Sequence, residues 1–237
     1  MKIRRYLMLF AACTLFLGKS FAANNEKPFV IPELQEWRGA QGMFTPSATS
    51  RIVWQGKDSA VARVANQFAE DYETMFGRKL TVVQGRASAG DFVFSLSGDR
   101  QLGEEGYAVR IADRVNVSAP KAKGLYWATR TLLQMTEQNS DQALPKGSMR
   151  DYPDYAIRGF MMDCGRKFIP MDFLRDYVKM MAYYKMNTFQ IHLNDNAFKQ
   201  YFEHDWSKTY AAFRLESEFF PGLTARDGYY TKKEFID

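Results

Sequence analysis

The side chains best suited to chemistry fall in two short stretches, MMDCGRKF at 161–168 and IHLNDNAF at 191–198. In each, an apolar run ends abruptly in polar groups: Asp163 and Arg166 in the first, His192, Asn194, Asp195 and Asn196 in the second. That is how a buried strand looks where it delivers side chains to a site. Parallel strands present their C-terminal ends on one face, so Arg166 and Asp195 are expected as neighbours at one rim. A guanidinium fork beside a carboxylate suits holding vicinal hydroxyls or orienting a catalytic partner. It equally suits an ion pair that closes two loops, and spacing alone leaves both readings open. His192 is a possible site residue or a neutral structural histidine hydrogen-bonded inside the fold. Asp163 and Arg158 are candidates of the same two-sided kind, site residues or charges held in internal hydrogen bonds. Asp195, His192 and His204 lack a tight metal-ligand spacing, and no metal or organic cofactor is expected.

The elements that position these residues are legible in the apolar rhythm. A buried-type strand over 157–163, a helix over 172–185 and a strand over 187–193 make a βαβ unit with parallel strands, with Lys185 and Asn187 as structural residues at the turn between helix and strand. Upstream, β-branched and aromatic runs at 51–54, 79–84, 92–96, 107–111 and 114–119 read as strands. Between the first two lies a helix with Asp58 as N-cap and Gly77 at its end, whose face collects Val61, Val64, Ala65, Phe68, Tyr72, Met75 and Phe76. A second helix over 124–136 turns Leu125, Ala128, Leu132 and Met135 inward. Strands interrupted by two helices give an α+β domain with a helix-covered sheet over 27–150. The polar segment 139–155, with Pro145, Gly147 and Pro153, reads as a linker into a second unit over 151–237. Near the end, Thr231 and Glu234 have the spacing of a capping box, which announces a helix with little sequence left to form it.

Composition bounds the remaining classes. With 46% hydrophobic and 15% aromatic residues the chain can bury one sizeable core or two modest ones. Residues 1–22 place Lys2, Arg4 and Arg5 before an apolar run and then small residues, the order of a secretory signal peptide. Removing them takes away Lys2, Arg4, Arg5 and Lys19 and no acid, so the formal charge falls from +5 to +1. No basic stripe remains to suggest nucleic acid, and no later segment resembles a membrane helix. An exported protein, periplasmic or extracellular, follows. Cys13 offers a minority alternative as a lipid-attachment site, and Cys164 is left as the one cysteine beyond the signal.

The stretch RGFMMDCGRKFIPMDFLRDYVKMMAYYKMNTFQIHLNDNAF at 158–198 resembles the opening of the catalytic barrel of family-20 glycoside hydrolases, the β-N-acetylhexosaminidases. Its marks are Arg-Gly, an apolar strand, Asp-x-x-Arg, a helix ending near Tyr-x-Lys-x-Asn, and a strand closing on His-Leu-x-Asp. The preceding EEGYAVRI and VNVSAPKAKGLYWATRTLLQM resemble the α+β domain before that barrel, and YAAFRLES with YTKKEF resembles its next stretch. The resemblance implies the start of a (β/α)8 TIM barrel, truncated here, in an enzyme acting on glycans with terminal N-acetylglucosamine or N-acetylgalactosamine. It implies that Arg166 hydrogen-bonds the C3 and C4 hydroxyls of the terminal sugar. Asp195 is the aspartate that supports the catalytic acid through a downstream histidine. Asn196 stands where many members have a second aspartate, so it carries no charge-dependent role. The implied mechanism is retaining and substrate-assisted: the 2-acetamido oxygen attacks C1, an aspartate orients the amide, and a glutamate acts as acid and then base. These last two belong to a His-x-Gly-Gly-Asp-Glu motif that is not found in the 237 residues. The chain alone is therefore expected to be inactive, with apolar edges on the two barrel strands. The competing class is a non-catalytic carbohydrate-binding or assembly module. In it Arg166 and the aromatics Phe198, Tyr201, Phe202, Trp206, Tyr210 and Phe213 hold sugar without cleaving it; packing of the long loop is the other use of those rings.

Overall fold

Among the described residues, seven strands and two helices build the first part of the chain. A computed structural model describes residues 23–196, 199–205, 207–208 and 211–237. The signal-like segment with Cys13, and the rings Phe198, Trp206 and Tyr210, lie outside the described residues. The strands are β1 (Glu36–Phe44), β2 (Arg51–Trp54), β3 (Thr81–Gln84), β4 (Phe92–Leu96), β5 (Tyr107–Ile111), β6 (Val115–Ala119) and β7 (Leu144–Asp151), in the sheet order β1-β7-β5-β6-β4-β2-β3. Strands β3, β2, β4 and β6 run parallel to one another, whereas β5, β7 and β1 are added antiparallel.

Helices α1 (Ser59–Phe76) and α2 (Ala122–Glu137) pack on the apolar face of this sheet. The N-terminal signal of α1 is satisfied as the sequence suggests: the Asp58 carboxylate accepts from the backbone N–H of Ala60 at 2.8 Å. Its inward face carries Phe68 and Tyr72, whose rings meet Phe92 edge-on at 5.5 and 6.0 Å. Met75 departs from expectation. It is 38% exposed, whereas Phe76 beside it keeps its place on the inward face, packed against the core with its ring 4.8 Å from that of Tyr72. Helix α2 is buried nearly all round, including Thr129, Arg130 and Gln134, since it lies between the sheet, α1 and the second part of the chain.

The segment 139–155 is not simply a linker. Residues 144–151 form β7, paired on both sides by β1 and β5. Pro145 and Gly147 disguise it. Pro145 lies beyond the end of β5, which reaches only to the level of Gly147, so on that side no ladder needs its missing N–H. Gly147 is required by close approach: a Cβ there would stand 2.6 Å from the Trp37 ring. Strand β1 was masked in the same way by Gly39, Gly42 and alternating polar residues, and it carries a bulge between Gly39 and Met43.

Beyond β7 the chain forms β8 (Gly159–Asp163), α3 (Met171–Tyr183) and β9 (Thr188–His192), with β8 and β9 parallel. A short antiparallel pair follows, β10 (Asn194–Asn196) with β11 (Ala211–Phe213), and then α4 (Lys232–Ile236). The capping box at α4 is formed, with Glu234 N–H donating to Thr231 Oγ1 at 3.1 Å and Thr231 N–H donating to Glu234 Oε2 at 2.9 Å. Strand β8 is shorter and less buried than a buried-type strand requires: Ile157 precedes it at 74% exposure, and Phe160 and Met161 are about half exposed. Among the described residues, Met162, Cys164, Leu174 and Tyr230 are the buried members of a small second core, because two strands and one helix cannot cover both faces of each other.

The two parts are joined by a buried polar knot at the N-terminal ends of β8 and β9. Lys185 Nζ donates to Asp151 Oδ2 at 2.9 Å and to the Tyr107 hydroxyl at 2.8 Å, and Tyr107 donates to Asp151 at 2.5 Å. Arg158 pairs with Glu105, which also accepts from Asn187. Arg158 is thus one of the internally bonded charges rather than a rim residue. Burial pulls the Lys185 ammonium below its ordinary value, partly offset by Asp151, and burial pushes the Tyr107 hydroxyl well above its own. Lys185 also sits at a φ of +58°, a left-handed conformation that the knot must hold in place.

Removing one member of such a pair strands a buried charge. Asp151→Ala is expected to lower stability by about 3–5 kcal/mol, whereas Asp151→Leu combined with Lys185→Met recovers most of that loss. Urea unfolding of the three proteins checks this, and a double variant as unstable as Asp151→Ala would contradict it.

Candidate functional site

The parallel register sets Asp163 directly beside His192. From there each strand turns into a loop, and the two loops are stitched together: the backbone N–H groups of Cys164 and Gly165 both donate to the His192 carbonyl, at 3.0 and 2.7 Å. Gly165 permits this approach, for a Cβ at that position would lie 2.9 Å from the Asp195 nitrogen. The thiol of Cys164 is buried beneath the junction, and burial raises its pKa. It serves as packing, not as a nucleophile.

Above the junction the four candidate side chains form one cluster. The Arg166 guanidinium bridges two carboxylates, with one terminal nitrogen 2.6 Å from Asp163 Oδ2 and the other 2.6 Å from Asp195 Oδ2. The Arg166 backbone N–H donates to Asp163 Oδ1 at 2.9 Å. His192 Nε2 lies 3.0 Å from the same Asp195 oxygen, and Asn196 N–H donates to Asp195 Oδ1 at 2.8 Å. The four side chains keep between about a fifth and a third of their surface exposed, so the cluster opens to solvent. Asp163 is therefore part of the rim, hydrogen-bonded within it rather than in the interior. His192 is likewise placed in the rim through its contact with Asp195.

The electrostatics follow from these contacts. At Asp163, partial burial favours the neutral acid, but the Arg166 backbone N–H and guanidinium outweigh it and hold the carboxyl below 3.8. At Asp195 the hydrogen bond from His192 leads, joined by the Asn196 N–H and the charge of Arg166, and again the carboxyl lies below 3.8. The Arg166 guanidinium is raised in turn by its bond to Asp163. Two carboxylates flank one cation, so the cluster offers donors and acceptors together, which is what a sugar hydroxyl, itself both, requires. Among the described residues no three His, Cys, Asp or Glu side chains are placed to hold a metal ion. No helix among them is long and apolar enough to cross a membrane.

Sequence reasoning missed the group beneath the rim. Arg214 is completely buried, and its guanidinium donates to the carbonyls of Cys164 and Gly165 at 2.7 and 3.1 Å. An arginine between Phe213 and Leu215 was the available signal, since a charge inside an apolar run must find partners. Of the loop aromatics described, Phe213 lies in β11 and is 38% exposed.

Because both carboxyls sit lower in the folded chain than in the unfolded one, they add stability above the unfolded carboxylate range. They lose it as pH falls through their folded values. A carboxyl-resolved NMR titration is expected to find both Asp163 and Asp195 titrating below 3.8; either one titrating at or above that value would contradict the bridged geometry.

Known proteins share this architecture. Residues 27–152 match the model of glycosyl hydrolase family 20, domain 2, and residues 155–236 match that of the glycosyl hydrolase family 20 catalytic domain. A beta-hexosaminidase of Akkermansia muciniphila is 37% identical over 115 residues, 47% of this chain and 23% of that protein. A beta-N-acetylhexosaminidase of Cellulomonas fimi is 36% identical over 104 residues, 43% of this chain and 21% of its own length. The aligned part is thus about a fifth of these relatives. Among solved structures, a mutant Streptomyces plicatus beta-hexosaminidase in complex with its product GlcNAc superposes with a TM-score of 0.73 at 24% identity, covering 90% of this chain and 43% of that one. That likeness speaks for the fold. With two family models laid end to end over the sheet and the βαβ unit, the chain belongs to glycosyl hydrolase family 20.

Proposed function

We propose that this chain is the N-terminal portion of an exported β-N-acetylhexosaminidase that removes terminal non-reducing N-acetylglucosamine or N-acetylgalactosamine from glycans. The observation that carries this reading is the Arg166 fork between Asp163 and Asp195 at the C-terminal ends of two parallel strands. In it β8, α3 and β9 open an eight-stranded barrel, whose sites lie at that end of the strands. Membership in family 20 and the hexosaminidase relatives support the reaction, and residues 1–22 support export.

In this reading Arg166 donates to the C3 and C4 hydroxyls of the terminal sugar, with its plane fixed by the two carboxylates. Asp163 and His192 position rather than react: one aims the guanidinium, the other holds Asp195. Asp195 supports the catalytic acid through a histidine farther along the barrel. The substrate's own acetamido oxygen attacks C1 while a glutamic acid protonates the departing oxygen, giving an oxazolinium ion. Water activated by the same glutamate then opens it with net retention. The Asp-Glu pair is not in these 237 residues, so the chain alone binds part of the sugar and does not turn it over.

Chromophore release from a nitrophenyl N-acetyl-β-glucosaminide tests this with the chain and a version extended through the rest of the barrel. Turnover is expected only in the extended protein. There Arg166→Ala lowers kcat/KM roughly 10- to 100-fold, the worth of a charge-assisted hydrogen bond of about 1.5–3 kcal/mol, and Asp195→Asn lowers kcat with KM nearly unchanged. A folded extended protein without turnover would favour a sugar-binding module, and wild-type kinetics in both variants would remove the site.

A further inference from the structure

We infer that Arg214, with Asp227, is the positioning residue that sets the Arg166 and Asp195 loops at their working separation; this rests on the sugar-site reading above. Arg214 comes first among the largest fully buried side chains described, at 0% exposure. A guanidinium has five N–H donors, and here each has an acceptor. Nε donates to the Cys164 carbonyl at 2.7 Å. One terminal nitrogen donates to Asp227 Oδ1 at 2.6 Å and the Gly228 carbonyl at 2.8 Å. The other donates to the Gly165 carbonyl at 3.1 Å and Asp227 Oδ2 at 3.2 Å.

The backbone of the same residue acts on the other loop. Arg214 N–H donates to the Leu193 carbonyl at 3.0 Å, at the point where β9 passes into Asn194 and Asp195, and Ala212 lies opposite Asp195 in the β10–β11 pair. One residue therefore grips the backbone just before Arg166 with its side chain and the backbone just before Asp195 with its main chain. The Arg214 carbonyl in turn accepts from Tyr230 N–H at 2.6 Å, which anchors the clamp to the segment carrying Asp227 and Gly228.

This arrangement concerns geometry more than stability alone. Sugar-binding groups must be held to within about 0.5 Å, and a displacement of about 1 Å can cost roughly 100-fold in rate. Lysine cannot substitute, because an ammonium is a point donor on a flexible stem and cannot span two carbonyls and a carboxylate at once. Arg214 touches no reacting atom; it acts through Arg166 and Asp195.

A mutant cycle in the extended enzyme separates positioning from general support. Arg214→Lys is expected to lower kcat/KM for the nitrophenyl substrate about 10-fold or more against wild type, with KM raised through Arg166 and kcat lowered through Asp195. In an Arg166→Ala background the same change is expected to raise KM by less than about 2-fold, because coupled residues are non-additive, while the loss in kcat that passes through Asp195 persists. Its shift in Tm is expected to be the same in both backgrounds. Equal rises in KM in the two backgrounds, or a lowered Tm with unchanged KM, would overturn the inference. If Arg214→Lys does not fold, Asp227→Asn, whose side chain is 43% exposed, is run through the same cycle with the same criteria. An Arg166→Ala enzyme with wild-type kinetics would instead sink the sugar-site reading itself, and with it the inference; a damaged Arg166→Ala enzyme with additive Arg214 effects on KM would sink the inference alone.

Discussion

The rim depends on the register of β8 against β9. With Asp163 opposite His192, the strands end at the same level, and Arg166 and Asp195 meet across the junction. A slip of one residue would turn these side chains to the opposite face and take the guanidinium away from its second carboxylate. The ion pairs do not themselves hold the fold: their partners are partly exposed, and such pairs contribute little once water screens them. Their effect is directional, since two carboxylates on one fork leave the plane of the guanidinium little freedom.

The register is held from both ends of the strands. At the N-terminal ends, Lys185, Asp151 and Tyr107 tie the βαβ unit to the sheet through buried contacts, and Arg158 and Asn187 share Glu105 beside them. At the C-terminal ends, the His192 carbonyl and the Arg214 guanidinium bind the Cys164–Gly165 turn from either side. In the proposed barrel this is the division expected of its strands, with polar groups at one end serving stability and those at the other serving chemistry. The faces of β8 and α3 that neither end covers, with Phe160, Met161, Phe173 and Met180, are about half exposed. In the proposed barrel they meet its later elements.

Much of this was legible in the residues because local and global preferences agree. The β-branched and aromatic runs of β2, β4, β5 and β6, the amphipathic stripe and cap of α1, and the βαβ rhythm all point the same way. So did the meeting of Arg166 with Asp195, which needs only parallel strands ending together. Strands β1 and β7 were hidden because Gly39, Pro145 and Gly147 answer to neighbours distant in sequence, such as the Trp37 ring over Gly147. Arg214 was hidden for a related reason: its meaning lies in carbonyls some fifty positions away, and no spacing rule within one segment reveals them. Exposure in β8 differs from its apolar sequence because burial depends on what covers a strand and not on the strand alone.

The central claim is that Arg166 holds the C3 and C4 hydroxyls of the terminal sugar. The most direct measurement compares kcat/KM for the parent nitrophenyl glycoside and its 4-deoxy analogue in the extended enzyme, with Arg166 intact and as Arg166→Ala. We expect removal of the hydroxyl to cost roughly 10- to 100-fold when Arg166 is present and almost nothing when it is absent, since the partner is already gone. An equal penalty in both enzymes would show that another group reads that hydroxyl and would contradict the assignment of Arg166.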